Sequence, residues 1–345
     1  MTHTDPRAAR LALAVETPPA GRVAAFAPRA GEDLSALGPA CEVISGFRPD
    51  VDAFAARGLV ARRHAEGRYA MALVCLPRAR EAGRGLVAEA LAVTDGPVLV
   101  DGQKTDGIEA MLRDCRARVA VGEPVSKAHG KLFRLEGADA AAFADWRVVP
   151  RRLASGFVTR AGVFSADGPD PGSELLAAAL PARLPAEVVE LGAGWGWLAA
   201  QILARDGVEA LHLVEADADA LDCARENVTD PRARFHWADA TGFRPPRPVD
   251  AVVTNPPFHL SRAGEPSLGV AFIAAAARML APNGTLWMVA NRHLPYEAAL
   301  TAAFRDVSPL ATEGGYKLFC ARGPRPAGRP GPHRPSRYPR RRASA

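Results

Sequence analysis

The chain has 345 residues, 48% hydrophobic and 23% charged, and its 43 Lys and Arg against 38 Asp and Glu give a formal net charge of +5. That length holds two ordinary domains, each with a core, and the composition excludes a disordered or fibrous chain. No run of about 20 apolar residues exists to span a membrane as a helix, and five scattered cysteines with no CxxC pair exclude a zinc ribbon or a disulfide framework.

The first residues carry Asp5 and Glu16 and lack an apolar stretch with a cleavage site, so no leader peptide is expected. The first half, residues 1–150, alternates apolar runs with Ala-rich stretches. Strands are expected at Val23–Phe26, 69–76 and 97–100, and helices at 80–92 and Ile108–Arg116. Such alternation implies a mostly parallel sheet covered by helices. No strand here leads into a convincing glycine-rich turn; the nearest stretch, Asp101 to Gly107, has two glycines but no tight GxG.

A junction falls near residues 145–170, where a Gly/Pro/Asp-rich turn ends in Ser173, a candidate cap for a helix over 174–180. Beyond it the rhythm sharpens. Strands are expected at 188–191, Ala210–Glu215, Ala233–Trp237, 250–254 and 284–290, with helices at 197–206, 219–228, 268–280 and 295–304. A closing antiparallel pair is expected at 306–311 and 316–321. The expected fold is therefore α/β, with two tandem Rossmann-like domains and, in the second, a doubly wound sheet whose last strand is reversed. From residue 323 the chain is Arg, Pro and Gly with almost nothing apolar, which predicts a disordered tail, suited either to phosphate contacts or to solubility.

Four elements of the second half carry chemistry. In the first, an apolar strand ends in Glu190 and enters the turn Gly192-Ala193-Gly194-Trp195-Gly196. The glycines permit a sharp turn and close approach of a ligand, and the turn opens onto a helix N-terminus. A dinucleotide loop has the spacing GxGxxG. The shorter spacing and preceding acid fit the amino-acid end of S-adenosylmethionine instead, with Glu190 facing its ammonium. Second, about 20 residues on, another apolar strand ends in Glu215, placed to accept both ribose hydroxyls; Asp217, two residues further, has left the strand end. Third, Ala238 and Asp239 follow the next strand, Asp239 as acceptor for an adenine amino group and Ala238 through its N–H to a ring nitrogen.

The fourth element is the most specific: a strand ending in Asn255-Pro256-Pro257-Phe258-His259. Two prolines after a strand make a rigid loop that holds Asn255 extended. The loop can aim the Asn255 side-chain oxygen and the Pro256 carbonyl at one planar amino group, whose lone pair is otherwise delocalised into its ring. Phe258 can stack on that ring, and Pro257 and His259 would line the substrate side. Transfer of a methyl group would then need mainly alignment, and no metal. For His293, after the fifth strand, packing and capping are the better reading.

This combination resembles the class I S-adenosylmethionine-dependent methyltransferases that act on amino groups. With Gly162-Val163-Phe164-Ser165, Asp170, Gly172-Ser173 and Val289-Ala290-Asn291-Arg292-His293-Leu294-Pro295-Tyr296, it resembles the ribosomal RNA guanine-N2 methyltransferases of the RsmC/RlmG type over residues 70–322. The resemblance implies two tandem domains of which the first has lost cofactor binding, so that residues 1–150 position RNA or steady the catalytic residues 151–322. It implies that Phe164 and its neighbours cover the cofactor, and that the Asn-Pro-Pro-Phe loop holds a flipped guanine of ribosomal RNA, 16S in the small subunit. Leu260-Ser261-Arg262 after that loop and the Arg-rich tail depart from the pattern. A monomer in the cytoplasm is expected. The alternatives are a protein glutamine-N5 methyltransferase, an adenine-N6 methyltransferase of nucleic acid, and a non-catalytic RNA-binding assembly factor with a vestigial fold.

Overall fold

The computed structural model describes residues 5–257 and 266–326. The expected α/β fold is present twice. In the first half, helix α1 (Pro6–Ala14) starts behind the Asp5 cap and precedes β1 (Val23–Phe26) and β2 (Cys41–Ile44). Then come α2 (Arg48–Ala56), β3 (Val60–Arg62), β4 (Met71–Cys75), α3 (Arg80–Val93) and β5 (Val98–Gln103). Helix α4 (Ile108–Arg116), β6 (Val125–Lys127) and β7 (Gly130–Leu135) complete it. The sheet order is β3-β2-β1-β4-β5-β7-β6, with β7 antiparallel to both neighbours.

A short hairpin of β8 (Arg151–Arg152) and β9 (Val158–Thr159) links the halves. The second half runs α5 (Pro171–Ala179), β10 (Glu187–Leu191), α6 (Trp197–Leu203), β11 (Ala210–Glu215), α7 (Ala218–Asn227) and β12 (Ala233–Trp237). It continues through β13 (Val249–Thr254), α8 (Pro266–Met279), β14 (Leu280–Asn291), α9 (Glu297–Ala303), β15 (Phe304–Glu313) and β16 (Tyr316–Pro324). Its order, β12-β11-β10-β13-β14-β16-β15, repeats that of the first sheet, and β16 is the expected reversed strand. Separate apolar clusters cover its two faces. All five cysteines are buried and free.

The first half differs from the second where a nucleotide would sit. Between β1 and β2 there is only a 3-10 turn at Ser35–Leu37, where the second half has α6. The residue after the central strand keeps a left-handed backbone in both, but it is Ala27 (φ 52°) in one and Gly192 (φ 76°) in the other. The parallel registers Phe26↔Ile44 and Leu191↔Val214 then place Ser45 where the second half has Glu215.

Two local expectations need correction. Helix α5 is capped by Asp170, whose side chain accepts the Ser173 N–H, rather than by Ser173; Pro171 fixes the first helical position, which leaves Asp170 as the cap. Strand β16 runs through Pro324, because Phe304 of β15 still pairs there, so the sheet takes in the first residues of the stretch read as tail. Residues 327–345 of that tail lie outside the described residues. Finally, β2, β3, β6 and β7 are short or polar enough that their periodicity gave no signal.

The halves touch through equivalent loops. Phe47 and Asp217 form an antiparallel bridge, with the Arg48 N–H donating to Ala216 O and the Ala218 N–H to Gly46 O, both at 2.9 Å. Trp237 at the end of β12 donates its indole N–H to both Gly46 O (3.0 Å) and Ala216 O (2.9 Å). Arg63 pairs with Asp222 on α7.

Candidate active site

Strands β10 and β13 are neighbours in the sheet centre and end together, Leu191 opposite Thr254. The buried Thr254 hydroxyl donates to Leu191 O at 2.8 Å and ties the two loops that follow. One loop is the glycine turn. Gly192, Gly194 and Gly196 have φ of 76°, 55° and 88°, a region that side chains rarely occupy. At Gly196 a Cβ would also meet Val228 at 3.0 Å and the Ala224 backbone at 3.2 Å, so glycine lets α6 start hard against α7.

Glu190, the penultimate residue of β10, is 1% exposed, and its Oε2 has no partner among the described residues. Burial, then the nearby charge of Glu215, push its carboxyl well above the usual range. Glu215 at the end of β11 is also held up by burial, while backbone N–H groups act the other way. Its Oε2 accepts from Gly194 N and its Oε1 from Asp217 N, both at 2.8 Å, which leaves each oxygen one further lone pair. Asp217 caps α7 and is pushed up to about 7 by burial and by the charges of Glu215 and Asp219.

Three carboxyls thus meet beside the glycine turn, with one buried oxygen unpartnered. An ammonium would remove the mutual repulsion, and a pair of hydroxyls could fill the open lone pairs of Glu215. The amino-acid and ribose groups of S-adenosylmethionine match both needs.

Asp239 is in place after β12, with Oδ1 accepting from the N–H and hydroxyl of Thr241, both at 2.8 Å. Ala238 does not fit the role expected of it. Its N–H donates to Glu215 O at 3.0 Å, as the chain leaves the sheet, and is not free for a ring nitrogen.

Phe164 is 58% exposed, a large apolar side chain at the surface. Its backbone is anchored: Trp195 of the glycine turn donates its indole N–H to Phe164 O (3.1 Å) and Ser165 O (3.2 Å), and Val163 packs with Trp195. The segment is therefore fastened directly to the turn.

Asn255 follows β13. Its amide Nδ2 donates to Asp170 Oδ2 and to Ser173 Oγ, both at 2.8 Å, and its Oδ1 is buried with no partner among the described residues. Since an ionised carboxylate can only accept, Asp170 dictates which way round the amide lies. Pro256 is buried and Pro257 exposed. Phe258 and His259 lie outside the described residues. His293 is exposed in the turn after β14, and α9 starts behind Tyr296 with no side-chain cap, so the packing and capping expected of His293 are not what the structure has. Among the described residues no group of three or more His, Cys, Asp or Glu is placed to hold a metal.

Sequence reasoning put Glu190, the glycines, Glu215 and Asn255 at one sheet edge, and they meet there. It missed the grip of Asp170 and Ser173 on Asn255, the anchoring by Trp195 and the bridge made by Trp237. In the sequence Asp170 was visible only as part of a motif, and Ser173 only as a candidate helix cap.

The Methyltransferase small domain family model matches residues 154–320. The Ribosomal RNA small subunit methyltransferase C of Shewanella sp. (strain MR-4) is 30% identical over 268 residues, 74% of this chain and 77% of the relative. The protein of the same name from Pseudomonas aeruginosa (strain LESB58) is 30% identical over 291 residues, 81% and 87% of the two chains. Among solved structures, the T. thermophilus 16S rRNA N2 guanine methyltransferase in complex with AdoMet and guanosine superposes with a TM-score of 0.76. That match has 25% identity and covers 93% of this chain and 92% of the other.

Proposed function

Because the chain belongs to the ribosomal RNA small subunit methyltransferase C family, and is therefore an S-adenosylmethionine-dependent methyltransferase, we propose that it methylates the exocyclic N2 of a guanine in 16S ribosomal RNA. The observation that carries the reading is Asn255: its amide nitrogen is pinned by Asp170 and Ser173, and its buried carbonyl has no partner among the described residues.

S-adenosylmethionine supplies an electrophilic methyl group on a sulfonium. Glu190 would hold the ammonium and Glu215 the ribose hydroxyls, with Asp239 beyond them for the adenine amino group. The three glycines keep the turn open to close approach, and Phe164 with its anchored backbone would cover the pocket.

On the substrate side, Asn255 Oδ1 and the Pro256 carbonyl would accept the two hydrogens of the amino group. That draws its lone pair out of the ring and fixes the nitrogen in line, which is the main contribution alignment can make. Phe258, Pro257 and His259 complete this loop in the sequence. A guanine stacked in RNA must leave its stack to reach a loop at the sheet edge. The proton can depart to water after transfer, so no strong base is required.

Residues 1–150 serve as a non-catalytic partner domain in this reading. Ala27, Ser45 and the missing helix after β1 support that, as does the pairing of residues 46–48 with residues 216–218. The reading also carries a cytoplasmic site of action and a monomer acting on RNA or on a small-subunit particle.

The test is transfer of labelled methyl to 16S RNA and to small-subunit particles from cells lacking the protein, with the product nucleoside identified by mass. N2-methylguanosine is expected. N6-methyladenosine, label in protein, or no label while cofactor still binds would each overturn the guanine assignment.

A further inference from the structure

The acceptor in this site is held by residues 82 and 85 positions away in the chain. Asp170 Oδ2 takes two donors at once, the Ser173 N–H at 3.0 Å and Asn255 Nδ2 at 2.8 Å. Gly172 is what permits the approach, since a Cβ there would lie 2.9 Å from that same oxygen and 2.8 Å from the Tyr316 ring. The Ser173 hydroxyl, 2.8 Å from Asn255 Nδ2, can donate as well as accept, so alone it would tolerate either orientation of the amide. The Asp170 carboxylate would not. With Nδ2 committed twice, Oδ1 is the side-chain group left to Asn255 for a substrate, and it is buried with no partner among the described residues.

We propose that Asp170 is a positioning residue for methyl transfer, which fixes the Asn255 amide so that its carbonyl, never its NH2, meets the substrate amino group. A flipped amide would oppose donor to donor and repel the amine. The role rests on the proposed function of Asn255. It assigns to Asp170 a task separable from capping α5, although one oxygen performs both.

Two variants separate them. Asp170→Ser keeps a side chain that caps a helix well but is too short to reach Asn255. Asp170→Asn keeps one oxygen that can accept from both donors and removes the charge. Each is compared with the intact protein and with Asn255→Ala for kcat, KM for RNA, cofactor affinity and melting temperature. Asp170→Ser is expected to lose about tenfold or more in kcat, the change a lost charge-assisted hydrogen bond brings, with cofactor affinity and melting temperature near those of the intact protein. Asp170→Asn is expected to recover most of the turnover. If Asp170→Ser turns over within twofold of the intact protein while Asn255→Ala is inactive, the positioning role is wrong and the Asn255 reading stands. If Asp170→Asn is as impaired as Asp170→Ser, charge rather than orientation is at work and the proposal falls. If Asp170→Ser loses cofactor affinity in proportion to kcat, Asp170 is a structural part of the pocket and the proposal also falls. If Asn255→Ala itself remains fully active, the proposed function of Asn255 fails first.

Discussion

Replacing Glu190 by glutamine keeps the shape of the buried side chain and removes its charge. Glu190 is 1% exposed, has no partner for Oε2 among the described residues and lies near the charge of Glu215, so its charged form is disfavoured in the free protein. Removing that buried charge spares a cost on the scale of about 1–3 kcal/mol, as for an uncompensated buried polar group. With about 2–4 °C per kcal/mol for a domain near this size, the ligand-free variant should melt some 2–12 °C higher at neutral pH. The pH dependence has a definite sign. A carboxyl whose folded pKa lies above its unfolded value takes up a proton on folding. Its stabilising effect is complete below the ordinary carboxylate range and is lost as pH rises through the raised value. The advantage of Glu190→Gln should therefore shrink as pH falls toward about 4.5. Cofactor binding should move the other way, weakening about 10- to 150-fold, as losing a charge-assisted bond of about 1.5–3 kcal/mol requires. Scanning calorimetry across pH and titration calorimetry with S-adenosylmethionine measure both. A variant that melts lower than the intact protein, or binds the cofactor equally well, would refute the reasoning.

Two further substitutions probe the frame around the site. Gly196→Ala puts a Cβ at φ 88° and against Val228 and Ala224; it should cost about 1–3 kcal/mol, seen as a lower melting temperature together with weaker cofactor binding, and unchanged values of both would show that the turn does not need this glycine. Trp237→Phe removes the one indole donor that serves Gly46 O and Ala216 O together; about 1–2 kcal/mol should be lost, and limited proteolysis should find the 46–48 and 215–218 loops more readily, whereas an unchanged digest would mean that the halves do not depend on that bridge.

The second half was the more legible in sequence, for a local reason. Strand β11 is a mostly apolar run and β12 alternates apolar with polar residues; both stop at a turn, and their limits match the pattern residue for residue. In the first half the corresponding strands are three or four residues long, and the glycine turn that anchors the reading is absent. The α5 cap was misassigned because Asp170 and Ser173 are both good capping residues; Pro171 at the first helical position was the deciding signal. The site divides in the same way. Glu190, the glycines and Glu215 sit at strand ends and were readable from position alone. The Asn255 clamp joins residues more than 80 positions apart, so no local pattern could reveal it. Ala238 was misread because the N–H assigned to a ligand is still needed at the end of the β11–β12 ladder.

The central claim is that Asn255 acts on the substrate amine and not on the cofactor. Cofactor affinity and single-turnover methyl transfer to RNA, measured side by side for Asn255→Ala, test it most directly. The account predicts affinity within a few-fold of the intact protein and a rate lower by about 100-fold or more, the scale on which loss of a preorganised group acts. Parallel loss of binding and rate, or a rate left intact, would contradict it.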